Sequence, residues 1–301
     1  MAITYRPAAE HDIRAVSDVY WASLLDAYQR HGFDAQQDTL TVNPFYAFAL
    51  REEPQGFFVA EHKGKVVASS ISWVRGSFWF LSHLFVLPDF QGKGIGRSLL
   101  ERTMNYSRIA NCTHRAVITM AFNPASISLY LKNGLFPAED IYLMRLGTQR
   151  EGPSPGKRRE TFQEAIHLSK QQQEDLAAID REILGTSREG HHRFFLTDRM
   201  ATGYLIRYRG RPAAYAYLWP DGRIGPMAAL KDVPYRDLLK LIVRHAGDDS
   251  RFLTLMIPGS NHTALETAFS LGFTVRMPYV LLASERFGSL DRYLFHSPGL
   301  M

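Results

Sequence analysis

Three glycines at alternate positions mark the part of the sequence best suited to bind a charged ligand. Gly92, Gly94 and Gly96 lie between an apolar stretch and an amphipathic stretch, which predicts a turn joining a strand to a helix. Glycine permits a tight turn and a close approach of the backbone to a ligand. The first amides of a helix attract anions, and Lys93 and Arg97 add positive charge. These residues therefore predict a phosphate or pyrophosphate site.

The spacing of the glycines separates this turn from two common nucleotide-binding motifs. The dinucleotide fingerprint spaces its glycines differently and follows the first strand of a βαβ unit, and the P-loop ends in Gly-Lys-Ser/Thr. Read at Gln91, Gly94 and Gly96, the pattern Gln-x-x-Gly-x-Gly instead resembles the acyl-coenzyme A loop of the GNAT N-acetyltransferase superfamily. A strand–helix turn that binds no ligand is the remaining alternative.

A second motif follows the next predicted strand, where the resemblance requires one. Residues 123–134 read Asn-Pro-Ala-Ser-Ile-Ser-Leu-Tyr-Leu-Lys-Asn-Gly and resemble the family's Asn-x-x-Ala/Ser-x-x-x-Tyr-x-Lys-x-Gly. The resemblance implies that Asn123 contacts the coenzyme arm or an ordered water, and that Tyr130 protonates the departing thiolate. A phenol and a thiolate have similar basicity, so this transfer is chemically reasonable. Alternatively, Tyr130 is a half-buried helix aromatic and a water is the acid.

The resemblance implies an acyl-CoA-dependent N-acyltransferase that uses acetyl-CoA and releases coenzyme A. The acyl group would pass directly to a primary amine of a small-molecule or peptide acceptor, while backbone N–H groups near Val86 hold the thioester carbonyl. A non-catalytic CoA-binding sensor or scaffold is the alternative. The coenzyme-binding residues implied by the resemblance are Phe85, Val86, Gln91, Gly92, Lys93, Gly94, Ile95, Gly96, Arg97, Ser98, Asn123, Ser126 and Tyr130.

The general base is harder to identify from the sequence. Many relatives place a carboxylate on the central strand, but residues 78–84 here contain no Asp or Glu. His83 is the titratable side chain of this stretch, and its ordinary pKa suits a base at neutral pH. Strand alternation places His83 on one face with Leu81 and Phe85, so it can equally be a core histidine. A water chain ending on Ser82, or a side chain from the second half of the protein, is the alternative base.

Strands and helices alternate through the first half of the chain. The apolar periodicities predict strands at 3–6, 56–61, 65–74, 78–87, 115–121 and 141–146, and helices at 9–29, from 43, at 94–108 and at 124–132. The expected fold class is α/β with an α+β mixed sheet. With the resemblance, we expect two tandem GNAT-like lobes, each with a mostly antiparallel central sheet flanked by helices.

The second half of the chain repeats this plan in its predicted elements. Asn261 lies eleven positions before Gly272, and Asn123 lies eleven positions before Gly134. An internal duplication of about 140 residues explains this spacing; two halves that merely share an α/β pattern are the alternative. The expected division is a catalytic domain at 1–148, a polar linker at 149–160 and a second domain at 161–301.

The second half lacks two features of the coenzyme site. Its counterpart of the glycine turn, residues 227–237, contains no glycine, and the position seven after Asn261 is Ala268 rather than tyrosine. We therefore expect a degenerate lobe that packs on the first and shapes the acceptor site. The charged run from Asp180 to Glu182 is expected to be a solvated helix end, and the adjacent His191 and His192 do not predict a metal site.

Composition excludes several classes of protein. The 301 residues are 46% hydrophobic and 22% charged, as in ordinary folded domains, and their formal net charge is +5. Basic residues are spread along the chain, which argues against nucleic-acid binding. Long apolar runs and a secretory core are absent from the sequence, and Cys112 is its only cysteine. We expect a cytoplasmic protein without a membrane partner, either a monomer with the second lobe as internal partner or a homodimer.

Overall fold

The computed structural model describes residues 2–33, 43–147, 169–196, 200–246 and 252–301. The chain divides into unit 1, which is Met1–Phe136 with Leu282–Glu285, and unit 2, which is Pro137–Leu281 with Arg286–Met301. The predicted linker at 149–160 lies outside the described residues. The domain limits expected at 148 and 161 stay a prediction, although the strand that precedes residue 148 is grouped with unit 2.

Unit 1 is built on a mixed sheet with the strand order β1-β2-β3-β4-β5. These strands span Thr4–Pro7 (β1), Phe57–His62 (β2), Lys65–Arg75 (β3), Phe78–Val86 (β4) and His114–Met120 (β5). The pairs from β1 to β4 are antiparallel, and β5 runs parallel to β4. The mostly antiparallel sheet expected from the sequence is therefore confirmed.

Helices cover both faces of this sheet. They span Ile13–Arg30 (α1), Pro44–Glu52 (α2), Ile95–Ile109 (α3) and Pro124–Leu131 (α4). Asn43 and Asn123 cap α2 and α4, because each side chain accepts a hydrogen bond from an amide of the first turn. Behind α3, one core cluster joins the helix to the sheet through Ala60, Val67, Ala68, Ile95 and Leu99.

A β-bulge at Ser82 decides which side chains of β4 face α1 and α2. His83 and Leu81 pair with consecutive residues of β3, so Ser82 is an extra residue on β4. Side chains paired across antiparallel strands share a face, and the extra residue therefore places Leu81 and His83 on opposite faces. The expected common face of Leu81 and His83 was wrong, whereas His83 and Phe85 do share one, with ring centroids 4.5 Å apart.

Unit 2 carries a sheet with the order β11-β6-β10-β9-β8-β7, and a short strand, β12, also pairs with β9. The strands span Phe136–Leu146 (β6), Thr202–Tyr208 (β7), Arg211–Leu218 (β8), Arg223–Ala229 (β9), Leu253–Pro258 (β10), Thr274–Ala283 (β11) and Tyr293–Leu294 (β12). The helices span Lys170–Leu184 (α5), Glu189–Leu196 (α6), Tyr235–His245 (α7) and His262–Ser270 (α8).

The two units repeat one plan. The antiparallel run β7-β8-β9 corresponds to β2-β3-β4, and β10 runs parallel to β9 as β5 does to β4. The helix α7 connects β9 to β10 as α3 connects β4 to β5. Asn261 caps α8 through its side chain, as Asn123 caps α4. This correspondence supports the predicted duplication.

Asp180 is completely buried, so the expectation of a solvated helix end was wrong at this residue. Its carboxylate accepts two hydrogen bonds from Arg188 at 2.9 Å, and His192 and Tyr215 also bind it. Burial acts to raise the pKa of Asp180, but Arg188 and His192 hold that pKa below its usual value. Sequence periodicity missed this network because Arg188 lies between α5 and α6, just before α6 begins.

Candidate functional site

The glycine turn follows the carboxyl end of β4 and leads directly into α3. Gly92 and Gly94 have positive φ angles of 73° and 80°, in the left-handed region that favours glycine. A Cβ atom added at either position would meet no atom of the described chain within 4 Å. Gly94 is the N-cap of α3, and no side chain of the described part bonds to this helix end as a cap. The turn therefore presents helix-start amides toward open space, as an anion site requires.

The carbonyl group of Val86 anchors the start of this turn. Gln91 Nε2 donates a hydrogen bond to it at 3.0 Å, and Ser23 Oγ on α1 lies 2.9 Å away. The peptide group between Val86 and Leu87 is also held at its N–H, because the amide of Leu87 donates to the carbonyl of Val67 at 2.9 Å. Gln91 thus has a structural contact inside the turn, and Ser23 is a contributor that sequence reasoning missed. No local pattern distinguishes Ser23 from other serines of a helix.

The predicted charged rim is exposed. Lys93 Nζ donates to the carbonyl of Asp89 at 2.6 Å and lies 5.3 Å from the ring of Phe90. Arg97 is exposed on the first turn of α3. The side chain of Ile95 is buried in the core, so only its backbone can take part in binding.

The strands β4 and β5 separate next to the glycine turn. Their last pair is Leu81 with Val117, so Ser82–Val86 and Ile118–Met120 do not pair with each other in the described ladder. Alternate backbone groups of β4 that point away from β3 face this opening. We call the opening the β4/β5 slot. An extended ligand can bond to its edge as a further strand would.

Two residues of the second motif lie at α4. Asn123 Oδ1 accepts a hydrogen bond from the amide of Ser126 at 3.1 Å, which fixes the start of the helix. Tyr130 is only 4% exposed, and burial raises the pKa of its phenol. A phenol with a raised pKa keeps its proton at neutral pH, as a proton donor must.

His83 lies in an aromatic environment on the side of α1 and α2. Its Nε2 atom is 2.9 Å from Ser69 Oγ, and its ring contacts Tyr20, Tyr46 and Phe85. Burial lowers the pKa of His83 to about 3. The imidazole is therefore neutral at pH 7 and is a weak base, which removes the main argument for His83 as the general base. Ser82 is half-buried at the bulge.

The counterpart region of unit 2 lacks the same chemistry. The chain between β9 and α7 contains no glycine, and Ala268 stands where unit 1 has Tyr130. Tyr215 and Tyr217 of β8 are buried, and their hydroxyl groups bond to Asp180 and His192. Among the described residues, no group of His, Cys, Asp and Glu could hold a metal ion. Nor is any described helix long and apolar enough to span a membrane.

Comparison with known proteins finds a family that part of unit 1 resembles. The sequence profile described as the Acetyltransferase (GNAT) family matches residues 13–135. An acetyltransferase from Sodalis glossinidius is 32% identical over 83 residues, covering 28% of this chain and 58% of the relative. An uncharacterized N-acetyltransferase from Methanocaldococcus jannaschii is 30% identical over 71 residues, covering 21% of this chain and 31% of the relative. The chain thus spans less than two thirds of these relatives.

Solved structures share the fold of the whole chain. A crystal structure of a candidate acetyltransferase from Pyrococcus horikoshii has a TM-score of 0.78 at 17% identity, covering 99% of this chain and 96% of that one. A tandem GNAT protein from the clavulanic acid biosynthesis pathway has a TM-score of 0.62 at 16% identity, covering 95% and 99%. The family likeness covers residues 13–135, less than half of the chain, whereas the likeness in fold covers nearly all of it.

Proposed function

We propose that unit 1 is an acyl-CoA-dependent N-acyltransferase that uses acetyl-CoA and transfers its acyl group to a primary amine. The observation that carries this proposal is the β4/β5 slot, which opens beside a turn of positive-φ glycines at the start of α3. The slot suits the extended arm of coenzyme A, and the glycine turn suits its pyrophosphate. The family of residues 13–135 supports the same activity.

The residues present fit coenzyme A. The glycine turn leaves open space on its ligand side, and the uncapped amides of α3 are suited to the pyrophosphate. Lys93 and Arg97 place positive charge beside it. The part of β4 that faces the slot can bond to the amide groups of the arm, while the carbonyl of Val86 is already bonded to Gln91. Acetyl-CoA, when bound, supplies the acyl group as an activated thioester.

The reaction needs two proton transfers, one to the leaving thiolate and one from the acceptor amine. Tyr130 holds the proton that the leaving thiolate needs, and its raised pKa keeps that proton in place before the reaction. The acceptor amine must lose one proton as its nitrogen bonds to the acyl carbon. The lowered pKa of His83 makes it unsuitable for that step, so we assign the proton to a water near Ser82. Backbone amides of β4 near Val86 orient the thioester carbonyl.

The acceptor is expected on the side of β4 that faces α1 and α2. Tyr20 and Phe85 are half-buried there, with ring centroids 4.9 Å apart, and Trp21 lies 5.1 Å from Tyr20. Aromatic faces suit an amine that carries apolar or aromatic groups. The acceptor panel for a first assay should therefore include aromatic amines as well as amino acids, aminoglycosides and peptides with a free amino terminus.

The test is release of free thiol from acetyl-CoA in the presence of each amine of the panel. We expect at least one amine to be acylated by the wild type. Tyr130→Phe should lower turnover by roughly 10²–10⁴-fold and leave the affinity for coenzyme A within about twofold, because it removes only the proton donor. Tyr5→Phe, which keeps its ring against Arg102, is the control and should turn over normally. An undiminished rate in Tyr130→Phe would assign the proton to another donor.

A coenzyme-binding sensor is the second candidate function. The observation that favours it is the lowered pKa of His83 on a strand that carries no carboxylate between Phe78 and Val86. A sensor would bind coenzyme A but release no thiol with any amine. The same assay distinguishes the two candidates.

A further inference from the structure

The slot of unit 1 has a counterpart at the equivalent position of unit 2. In unit 1 the pairing of β4 with β5 ends at Leu81 and Val117. In unit 2 the pairing of β9 with β10 ends at Ile224 and Leu255. In each unit, the pairing with the preceding strand (β3 or β8) shifts its register once. Leu81 and Ile224 are equivalent, because each is the nearest paired residue on the N-terminal side of that shift. Both units therefore open their parallel strand pair at one structural position.

In unit 2 this opening contains a piece of the chain itself. We call residues 293–301 the inserted segment. Its first residues, Tyr293 and Leu294, pair antiparallel with β9 at Ala228 and Met227. Phe295 then crosses to β10 and donates its amide to the carbonyl of Met256 at 3.0 Å. The inserted segment is thus hydrogen-bonded to both strands that separate.

The asparagine behind the opening also binds the inserted segment. Asn261 Oδ1 accepts a hydrogen bond from the amide of Ala264 and caps α8, while Asn261 Nδ2 donates to the carbonyl of Tyr293 at 3.2 Å. Asn123 makes the same cap on α4 in unit 1. One asparagine position therefore serves as a helix cap and, in unit 2, as a donor to an extended chain in the opening.

The inserted segment is held tightly. Tyr293, Leu294 and Phe295 are completely buried. Arg188 donates to Tyr293 Oη at 2.8 Å and to the carbonyl of Met301, while Asp180 fixes its guanidinium. These contacts bind both ends of the segment through one buried cation. Any extended ligand would have to displace all of them.

A glycine lets the segment approach β9 closely. A Cβ atom on Gly225 would lie 2.5 Å from the carbonyl oxygen of Phe295, too close for any side chain. Gly225 occupies the register shift of β9, where unit 1 has Ser82. The wall of the opening in unit 2 is therefore shaped for a peptide backbone.

We propose that the slot of unit 2 is a peptide-binding site, occupied by the inserted segment in the position that the coenzyme arm takes in unit 1. Unit 2 then binds no coenzyme, so each chain binds one coenzyme molecule, which is held by unit 1. The comparison with the coenzyme arm rests on the function proposed for unit 1, whereas the peptide site stands on the contacts of unit 2 alone.

The experiment is a displacement assay on a nicked protein. A protease site introduced between Glu285 and Arg286, both exposed, allows the full chain to fold before it is cut. A labelled synthetic peptide of residues 290–301 is then added in excess. We expect it to exchange into the nicked protein, while a peptide with Phe295→Pro, which lacks the amide that bonds Met256, binds at least about tenfold more weakly. Equal binding of the two peptides would overturn the proposal.

A matched pair of variants separates this site from the coenzyme site. Serine keeps the helix cap but lacks the second donor of asparagine. We expect Asn261→Ser to weaken the peptide by about fivefold and to leave coenzyme binding unchanged. Asn123→Ser should leave the peptide unchanged. Failure of coenzyme A to bind at all would count against the function proposed for unit 1, and the peptide assay would still test the site of unit 2.

If nicking unfolds unit 2, hydrogen exchange on the intact chain tests the proposal instead. The amide of Phe295 should exchange at least about 100-fold more slowly than in the free peptide, and saturating coenzyme A should not change this rate. A titration should give one coenzyme per chain. Fast exchange of the Phe295 amide, faster exchange on addition of coenzyme A, or two coenzymes per chain would each contradict the proposal.

Discussion

Burial moves the pKa values of His83 and Tyr130 in opposite directions. It lowers the pKa of the imidazole to about 3 and raises that of the phenol, because in each case the neutral form is favoured. At neutral pH both side chains are therefore uncharged. Neutral Tyr130 can give its phenolic proton to the leaving thiolate, whereas neutral His83 is too weak a base to take a proton from the acceptor amine.

The buried imidazole makes a prediction about stability. The unfolded state, with an ordinary His pKa of about 6.5, binds more protons than the folded state between pH 6.5 and pH 3, so the free energy of unfolding falls as the pH decreases through this range. His83 should account for a loss of about 2 kcal/mol between pH 7 and pH 5. His83→Gln should remove this part of the slope in chemical denaturation at the two pH values.

The control for this measurement is His262→Gln, at an exposed side chain. It should leave the difference between pH 7 and pH 5 unchanged. A His83→Gln protein that loses as much stability as the wild type would show that the imidazole is accessible to protons in the folded state.

Sequence patterns anticipated individual residues well where the cause is local. The tight turn predicted at the glycines is present, with positive φ angles at Gly92 and Gly94. The cap that Asn123 forms on α4 was not predicted, although it is local in the sequence. Buried Asp180 could not be anticipated, since its charge is balanced by Arg188, which lies outside the helix that carries Asp180. The low pKa of His83 likewise depends on rings from α1 and α2, which are distant in the sequence.

At the level of elements, α1 contacts the glycine turn through the hydroxyl group of Ser23 and through Arg30. Ser23 Oγ contacts the carbonyl of Val86, the same carbonyl that Gln91 binds at the start of the turn. Arg30, farther along α1, lies 3.4 Å from the side-chain oxygen of Gln91. The helix that borders the acceptor side therefore also holds the turn.

Removing this hydroxyl should weaken coenzyme binding without unfolding the protein. We expect Ser23→Ala to raise the Kd for coenzyme A by about three- to tenfold, because the hydroxyl proton that Ser23 shares between the carbonyls of Val19 and Val86 is lost and no longer helps to orient the Val86 peptide. Ser17→Ala, at another buried position of α1, is the matched control and should leave the Kd unchanged. Isothermal titration of both variants checks this, and an unchanged Kd in Ser23→Ala would mean that Gln91 alone fixes the turn.

Element boundaries were predictable mainly where apolar periodicity is strong. The helix predicted at 94–108 is observed at Ile95–Ile109, and the strand predicted at 65–74 is observed at Lys65–Arg75. The bulge at Ser82 was missed, because an extra residue in a strand leaves no mark in a short apolar run. The strand β12 was missed for a related reason, since two residues show no period.

At the level of the whole molecule, the duplicated plan was visible in the sequence as repeated predicted elements and a repeated asparagine–glycine interval. The loss of the glycines and the tyrosine in the second half was equally readable. What fills the slot of unit 2 was not, because the inserted segment follows α8 by more than twenty residues and bonds to β9 and β10 only after folding. The acceptor of unit 1 is a question for the amine panel.

The central claim is that the glycine turn of unit 1 binds coenzyme A. Valine at position 94 combines an unfavourable positive φ of 80° with a side chain in the space assigned to the pyrophosphate. Gly64→Val is a control for the backbone strain alone, since Gly64 has a φ of 74° in the turn between β2 and β3 and also faces open space.

Isothermal titration of the wild type, Gly94→Val and Gly64→Val with coenzyme A is the most direct test, with NAD as a control ligand. The account predicts a micromolar Kd for the wild type and for Gly64→Val, a loss of at least about 100-fold in Gly94→Val, and no binding of NAD. Coenzyme binding that survives unchanged in Gly94→Val, or that is absent from the wild type, would contradict it.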